Sequence, residues 1–204
     1  MVFIDNLAYN LFGISFGGLL LAYTVTSMFF VYRNKRNDYI DRFSNAKVPL
    51  GIVGFYLFIS GLWGQFTWPL PGSYNTLFYD PMIAFGSVML ALVFSAIYKV
   101  RLEYTGFLAL MVGVMIMLYG IQSYGSGIVM PGALLYLYFL YGISGVLAYP
   151  VSLIADRLPG LRKNPWIGWH LCLGLFWLFM VAASLLAGYM AVMALPPGHL
   201  LGAI

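Results

Sequence analysis

Hydrophobic residues fill six long stretches of the chain, and almost every charged residue lies between those stretches. At about 1.5 Å per residue, each stretch is long enough to cross a bilayer core of about 30 Å. The pattern predicts an all-α integral membrane protein that folds as a six-transmembrane helix bundle, with residues 1–204 forming this single domain. The predicted helices are Leu11 to Tyr32, Val48 to Phe66, Pro81 to Tyr98, Tyr104 to Ile121, Gly132 to Leu153 and Trp166 to Leu195.

All ten Lys and Arg residues fall in three connections between the predicted helices: Arg33 to Lys47, Lys99 to Arg101 and Arg157 to Lys163. Six crossings place these three connections on the same side of the membrane. Because connections rich in Lys and Arg stay in the cytoplasm, we predict that both termini are non-cytoplasmic.

The composition indicates that this positive charge belongs to a membrane protein and not to a soluble one. Hydrophobic residues make up 62% of the chain and charged residues 8%, against about half and about a quarter in a soluble domain. The expected solvent is therefore the lipid bilayer. The cations sit beside membrane segments, where they set orientation and meet anionic head groups, so nucleic-acid binding is excluded as a function class.

Local residue patterns mark several helix boundaries and packing faces. Asp80-Pro81 and Asn164-Pro165 each predict a helix start, because a capping side chain precedes a proline that needs no N–H partner. Pro196 is expected to end the sixth helix, and Pro150 lies inside the fifth. Small residues permit close helix contacts within the bundle. They are Gly13 and Gly17 on the first helix, and Gly51, Gly54, Gly61 and Gly64 on the second.

The connection from Thr67 to Asp80 is the most distinctive segment outside the helices. Two prolines and a glycine predict a shaped turn at the non-cytoplasmic side. One interpretation is a polar outer pocket, with Tyr79 and Tyr124 near it; the other, which we favour, is a rigid cap over the helix ends. The candidate pocket residues are Gln65, Trp68, Tyr74, Asn75, Asp80 and Gln122.

The same connection carries a resemblance to a known family. The run Trp-Pro-Leu-Pro-Gly-Ser-Tyr-Asn, from Trp68 to Asn75, lies between two hydrophobic helices and is followed by Asp80. In this run the chain resembles archaeal membrane proteins of the domain-of-unknown-function family 981, and the likeness extends through most of the chain in length and number of segments. The resemblance implies a multi-pass fold in an archaeal plasma membrane, and it brings no established catalytic residues.

The two histidines are candidate haem ligands, since imidazole is a common axial ligand. If helical, the chain between His170 and His199 is roughly 40 Å long, so the two cannot bind one iron. A single haem on His170, with a methionine or another subunit's residue as second ligand, is a minor alternative to a hydrogen-bonding role. No His, Cys and carboxylate cluster has the spacing of a metal site. The single cysteine, Cys172, excludes an internal disulfide.

These observations favour a non-catalytic membrane subunit that anchors or organises a larger complex, such as a respiratory one, together with other membrane subunits. Its abundant aromatic residues are candidates for contact with a quinone or a lipid tail. The alternative is a small-molecule transporter or channel with an outer polar mouth, and a lipid-modifying enzyme using His170 is a third, weaker hypothesis. The few polar candidates for a hydrated path are Ser60, Gln65, Gln122, Ser123 and Ser144.

Overall fold

The computed structural model describes residues 6–33, 39–70, 72, 74–125, 131–157 and 167–194. These residues form six helices and no strand, and each helix contains a stretch long and apolar enough to span a membrane. The predicted six-helix membrane fold is therefore confirmed. The helices are α1 (Asn6–Arg33), α2 (Tyr39–Thr67), α3 (Tyr74–Tyr98), α4 (Glu103–Gly125), α5 (Pro131–Arg157) and α6 (Ile167–Tyr189), which continues as a π-helical turn, Met190–Ala194.

The predicted start of α3 was wrong. The helix begins at Tyr74, so Asp80 and Pro81 lie inside it and Asp80 is not its cap. A proline inside a helix leaves the carbonyl four residues earlier without its N–H partner. Here that carbonyl belongs to Leu77, and it accepts a hydrogen bond from the Tyr138 hydroxyl on α5. A tertiary contact thus replaces the hydrogen bond that Pro81 cannot make.

The start of α2 also differs from the prediction. The helix begins at Tyr39 rather than Val48, ahead of its apolar stretch, and includes Pro49. Pro150 lies inside α5, as predicted. The Asn164-Pro165 pair and Pro196 lie outside the described residues.

Consecutive helices are neighbours in space, and α6 packs against α1, which closes a ring. The α2–α3 and α4–α5 contacts are the most extensive, whereas α3 and α4 touch least among consecutive pairs. The last residues of α1, α3 and α5 and the first residues of α2, α4 and α6 lie at one end of the bundle, here called the basic end. The other helix ends lie at the opposite end.

Glycines bring the paired helices together. A side-chain carbon at Gly86 would lie 2.6 Å from the Phe58 nitrogen and 2.8 Å from the Gly54 oxygen. In the α4–α5 pair, a carbon at Gly145 would lie 2.7 Å from the Ala109 oxygen. Backbones therefore touch directly in both pairs, as small-residue packing in membranes requires.

The glycine face predicted on α1 also packs inside the bundle. A carbon at Gly13 would lie 2.7 Å from the Tyr56 ring of α2, and one at Gly17 would meet Met89 of α3 at 3.1 Å. The interpretation of these glycines as intramolecular contacts is confirmed.

The outward surface is strongly apolar. Along α2, large hydrophobic side chains three or four residues apart are exposed on one face of the helix, which suits contact with lipid. They are Val48, Ile52, Phe55, Ile59, Trp63 and Phe66.

Candidate functional site

A cavity of about 170 Å³ lies inside the ring, between α1, α3, α4, α5 and α6. Helix α2 contributes no lining residue, and none of the lining side chains is charged. On α5 the lining extends from Leu137 to Ala155, which is about 27 Å at 1.5 Å per residue. A cavity of this volume and length is narrow, and its shape suits one extended hydrocarbon chain better than a compact ligand.

The hydroxyl groups that line the cavity, and the side-chain oxygen of Asn10, are bonded to the protein itself. Tyr141 donates to the Ile14 oxygen at 3.1 Å, and the Thr105 hydroxyl pairs with that of Ser95 at 2.7 Å. The Asn10 side-chain oxygen accepts from both Tyr56 and Ser60. The remaining hydroxyls donate to backbone carbonyls, namely Tyr138 to Leu77, Thr24 to Leu20, Ser144 to Leu140 and Ser152 to Tyr149.

Because these hydroxyl protons are already engaged, the cavity presents an apolar interior to a ligand. A polar ligand group inside it would give up water for few new hydrogen bonds, which is unfavourable. A hydrocarbon chain gives up no hydrogen bonds when it enters the cavity. Its transfer from water or from loosely packed surroundings lowers the free energy.

The cavity extends along most of the bundle and reaches the basic end. Its lining includes Leu102, directly before α4, and Ala155, two residues before the end of α5. On α4 and α6 the lining stops at Ile116 and Met180, more than two turns before the helices end at the opposite end, whereas on α1 and α3 it extends to Leu7 and Phe78 near that end.

Two of the residues predicted for a polar outer pocket, Gln65 and Asp80, are in contact. The Asp80 carboxylate lies in α3, where Gln65 of α2 donates to one oxygen and Tyr119 of α4 donates to the other at 2.7 Å. These three residues tie three helices together near the opposite end. Asp80 is half-buried, and its partners among the described residues are neutral donors.

Asn75 holds the α2–α3 connection in place. Its side chain is fully buried, donates to the Gly64 oxygen at 2.9 Å and accepts from the Leu70 nitrogen at 3.3 Å. Trp68, with a positive φ of 47°, ends α2 by donating its N–H to the same Gly64 oxygen. These contacts describe a tightly fixed turn.

The other candidate pocket residues are not gathered around Asp80. Trp68 is 49% exposed, Tyr74 packs against the core, and Gln122 and Tyr124 face outward on α4. Tyr79 is fully buried, and its ring lies against Gly64. The structure thus brings together Gln65, Asp80 and Asn75 with the α2–α3 turn, and it leaves Gln122 on the outer surface.

His170 is exposed near the start of α6, and its ring meets the Phe29 ring edge-on with centroids 5.1 Å apart. His199 lies outside the described residues. Within the described residues, no group of three or more His, Cys, Asp or Glu side chains is placed to hold a metal ion.

Sequence reasoning missed three features of this arrangement. Tyr119 is one of many aromatic residues on a helix, and no local signal marks it as the partner of Asp80. Asp156 accepts hydrogen bonds from the Leu102 and Glu103 nitrogens, both at 2.9 Å, and so caps α4 from another helix. The cavity itself is lined by residue types that ordinarily fill a core, so only the packing reveals it.

The ring of six apolar helices, with a cavity inside and large hydrophobic side chains outside, defines a multi-pass integral membrane protein. A model of the protein family of unknown function DUF981 matches residues 1–202, so the chain belongs to that family. Searches of curated proteins and of solved structures give no match to this chain.

Proposed function

We propose that this protein is a non-catalytic membrane subunit that holds the hydrocarbon chain of a lipid or quinone inside its helix ring. The observation that carries the proposal is the narrow, uncharged cavity lined by five of the six helices. Its polar groups are bonded internally, which leaves van der Waals contact as the main means of binding a ligand. We further propose that the protein works in an archaeal plasma membrane alongside other membrane subunits.

A transporter for polar solutes is less well supported by the same geometry. Such a protein needs a hydrated path, yet four of the five candidate path residues are bonded to other protein groups. Ser60 donates to Asn10 at 2.6 Å and Gln65 to Asp80, while Ser123 and Ser144 donate to backbone carbonyls. Gln122 is exposed on α4. A polar solute entering the cavity would lose its water without gaining equivalent partners.

The hydrocarbon-binding role can be tested with two matched variants on α4. Val112 lines the cavity, whereas Val114 is 42% exposed on the outer surface of the same helix. Val112→Phe fills the cavity, so we expect the amount of co-purified lipid or quinone per protein to fall several-fold. Val114→Phe makes the same chemical change outside and should retain it.

The measurement is lipid extraction and mass spectrometry after gentle purification from the native membrane, with thermal unfolding as a check that both variants fold. Equal ligand content in the wild type and in Val112→Phe would overturn the proposal. The subunit role is tested separately by the mass of the native particle, which should include other membrane proteins in fixed ratio; a particle containing only copies of this chain would contradict it.

A further inference from the structure

We infer that the ligand of the cavity is an anionic membrane lipid, which inserts its hydrocarbon chain from the basic end and leaves its charged head group beside Arg101 and Arg157. This inference rests on the proposed function and narrows the ligand class. It excludes a neutral quinone as the preferred occupant.

The first argument is the position of the cavity. Its lining reaches Phe29 on α1 and Ala155 on α5, about one turn or less from the ends of these helices, and it includes Leu102 directly before α4 at the basic end. The lining also reaches Leu7 and Phe78 near the opposite end, so the cavity extends along most of the bundle. A chain that enters from the basic end therefore places its terminal methyl group inside the ring and its head group at the basic end.

The second argument is the charge at that end. Leu102 and Ala155 line the cavity, and Arg101 and Arg157 lie next to or near them in the chain. Both arginines are exposed, and neither forms an ion pair among the described residues. The carboxylates nearest to them in the chain are those of Glu103 and Asp156, and the Asp156 oxygens accept from the Leu102 and Glu103 nitrogens.

The third argument separates an anionic lipid from a neutral quinone. A quinone ring has two carbonyl oxygens and needs hydrogen-bond donors, but hydroxyls lining the cavity toward the basic end, those of Ser144 and Ser152, already donate to backbone carbonyls. A phosphate head group at the basic end instead meets two guanidinium groups that match its geometry.

The test uses two probes that share one hydrocarbon chain and differ only in the head group, geranylgeranyl phosphate and geranylgeraniol. Each is titrated into the full chain in a neutral detergent, and binding is followed by native mass spectrometry. We expect the phosphate to bind at least tenfold more tightly than the alcohol. Equal affinity of the two probes would overturn the inference but leave the proposed function intact, whereas no binding of either would contradict both.

Variants assign the charge effect to these two arginines. The Arg101→Gln/Arg157→Gln double variant should bring the affinity for geranylgeranyl phosphate to within about threefold of that for the alcohol. Lys47→Gln is the matched control, because Lys47 lies on α2, which contributes nothing to the cavity. A Lys47→Gln effect as large as that of the double variant would overturn the assignment, since it would indicate attraction by the overall charge of the basic end.

The native lipid identifies the source of the head group. Mass spectrometry of lipid released from the purified protein should show a phosphate-bearing lipid of the surrounding membrane at about one per chain. Release of a neutral quinone or neutral lipid in that ratio would contradict the inference and support the broader hydrocarbon-binding role.

Discussion

At the scale of single residues, the polar side chains inside this bundle bind to other parts of the protein. Asp80 accepts from Gln65 and Tyr119, and Asn75 bonds to the backbone of the α2–α3 connection. A polar group inside a membrane protein is costly when left without a partner. These contacts therefore fix helix positions, and they leave the cavity apolar.

Tyr119→Phe tests the tie at Asp80. The variant removes the hydroxyl that donates to one carboxylate oxygen at 2.7 Å, so a half-buried acceptor loses its partner. We expect the free energy of unfolding to fall by about 1–3 kcal/mol. Tyr124→Phe on the exposed surface of α4 is the control and should change it by less than about 0.5 kcal/mol. The measurement is denaturation in detergent. Equal free energies of unfolding for the two variants would show that the Tyr119–Asp80 hydrogen bond does not stabilise the fold.

Tyr138→Phe tests the contact that compensates for Pro81. Removing the hydroxyl leaves the Leu77 carbonyl without the donor that replaces the missing proline N–H, and we expect a loss of about 1–3 kcal/mol. Pro81→Ala restores a backbone N–H, so Tyr138→Phe should cost less in a Pro81→Ala background. The measurement is a double-mutant cycle of unfolding free energies, and strict additivity of the two changes would contradict this explanation.

At the scale of helices, the sequence was sufficient for the six segments and for the glycine faces of α1 and α2, because hydropathy and small residues act locally. The start of α3 could not be predicted, because Asp80-Pro81 looks like a helix start and its actual support comes from Tyr138, far away in the chain. The cavity could not be predicted from the sequence either, because lining residues such as Val112 and Ala148 are of types that ordinarily fill a core. Of the candidate pocket, the turn was predictable, but the pairing of Asp80 with Tyr119 depends on how α3 and α4 pack.

Gly86→Ala tests the close contact of α2 and α3. The added methyl group would lie 2.6 Å from the Phe58 nitrogen, and both helix backbones would have to move apart. We expect a loss of about 1–3 kcal/mol in the free energy of unfolding. Gly174→Ala in α6 is the matched control, because nothing lies within 4 Å of the added carbon, and it should be neutral or stabilising by up to about 1 kcal/mol. A stable Gly86→Ala variant would contradict the backbone contact.

At the scale of the whole molecule, the chain has few ionisable groups, and its distinctive feature is the ring of six helices. The ring surrounds an apolar cavity, its outer surface suits lipid, and its basic residues are collected at one end. Orientation remains a prediction from charge: the basic end should face the cytoplasm and both termini the other side.

Cysteine labelling in intact cells tests this orientation. In a Cys172→Ser background, Tyr124→Cys near the opposite end should react with a membrane-impermeant maleimide from outside. Lys99→Cys at the basic end should react only after the membrane is permeabilised. The reverse pattern would overturn the predicted topology without affecting the fold.

The most direct test of the central claim is to locate a bound hydrocarbon chain by photo-crosslinking. The purified protein would receive one equivalent of a hydrocarbon-chain probe carrying a diazirine in mid-chain, and modified residues would be mapped by mass spectrometry. Binding inside the ring predicts crosslinks at cavity residues such as Phe85, Val112 and Ala148, and their loss in Val112→Phe but not in Val114→Phe. Crosslinks confined to outward residues such as Ile52, Phe55 and Val114 would show that the chain stays on the surface and would contradict the account.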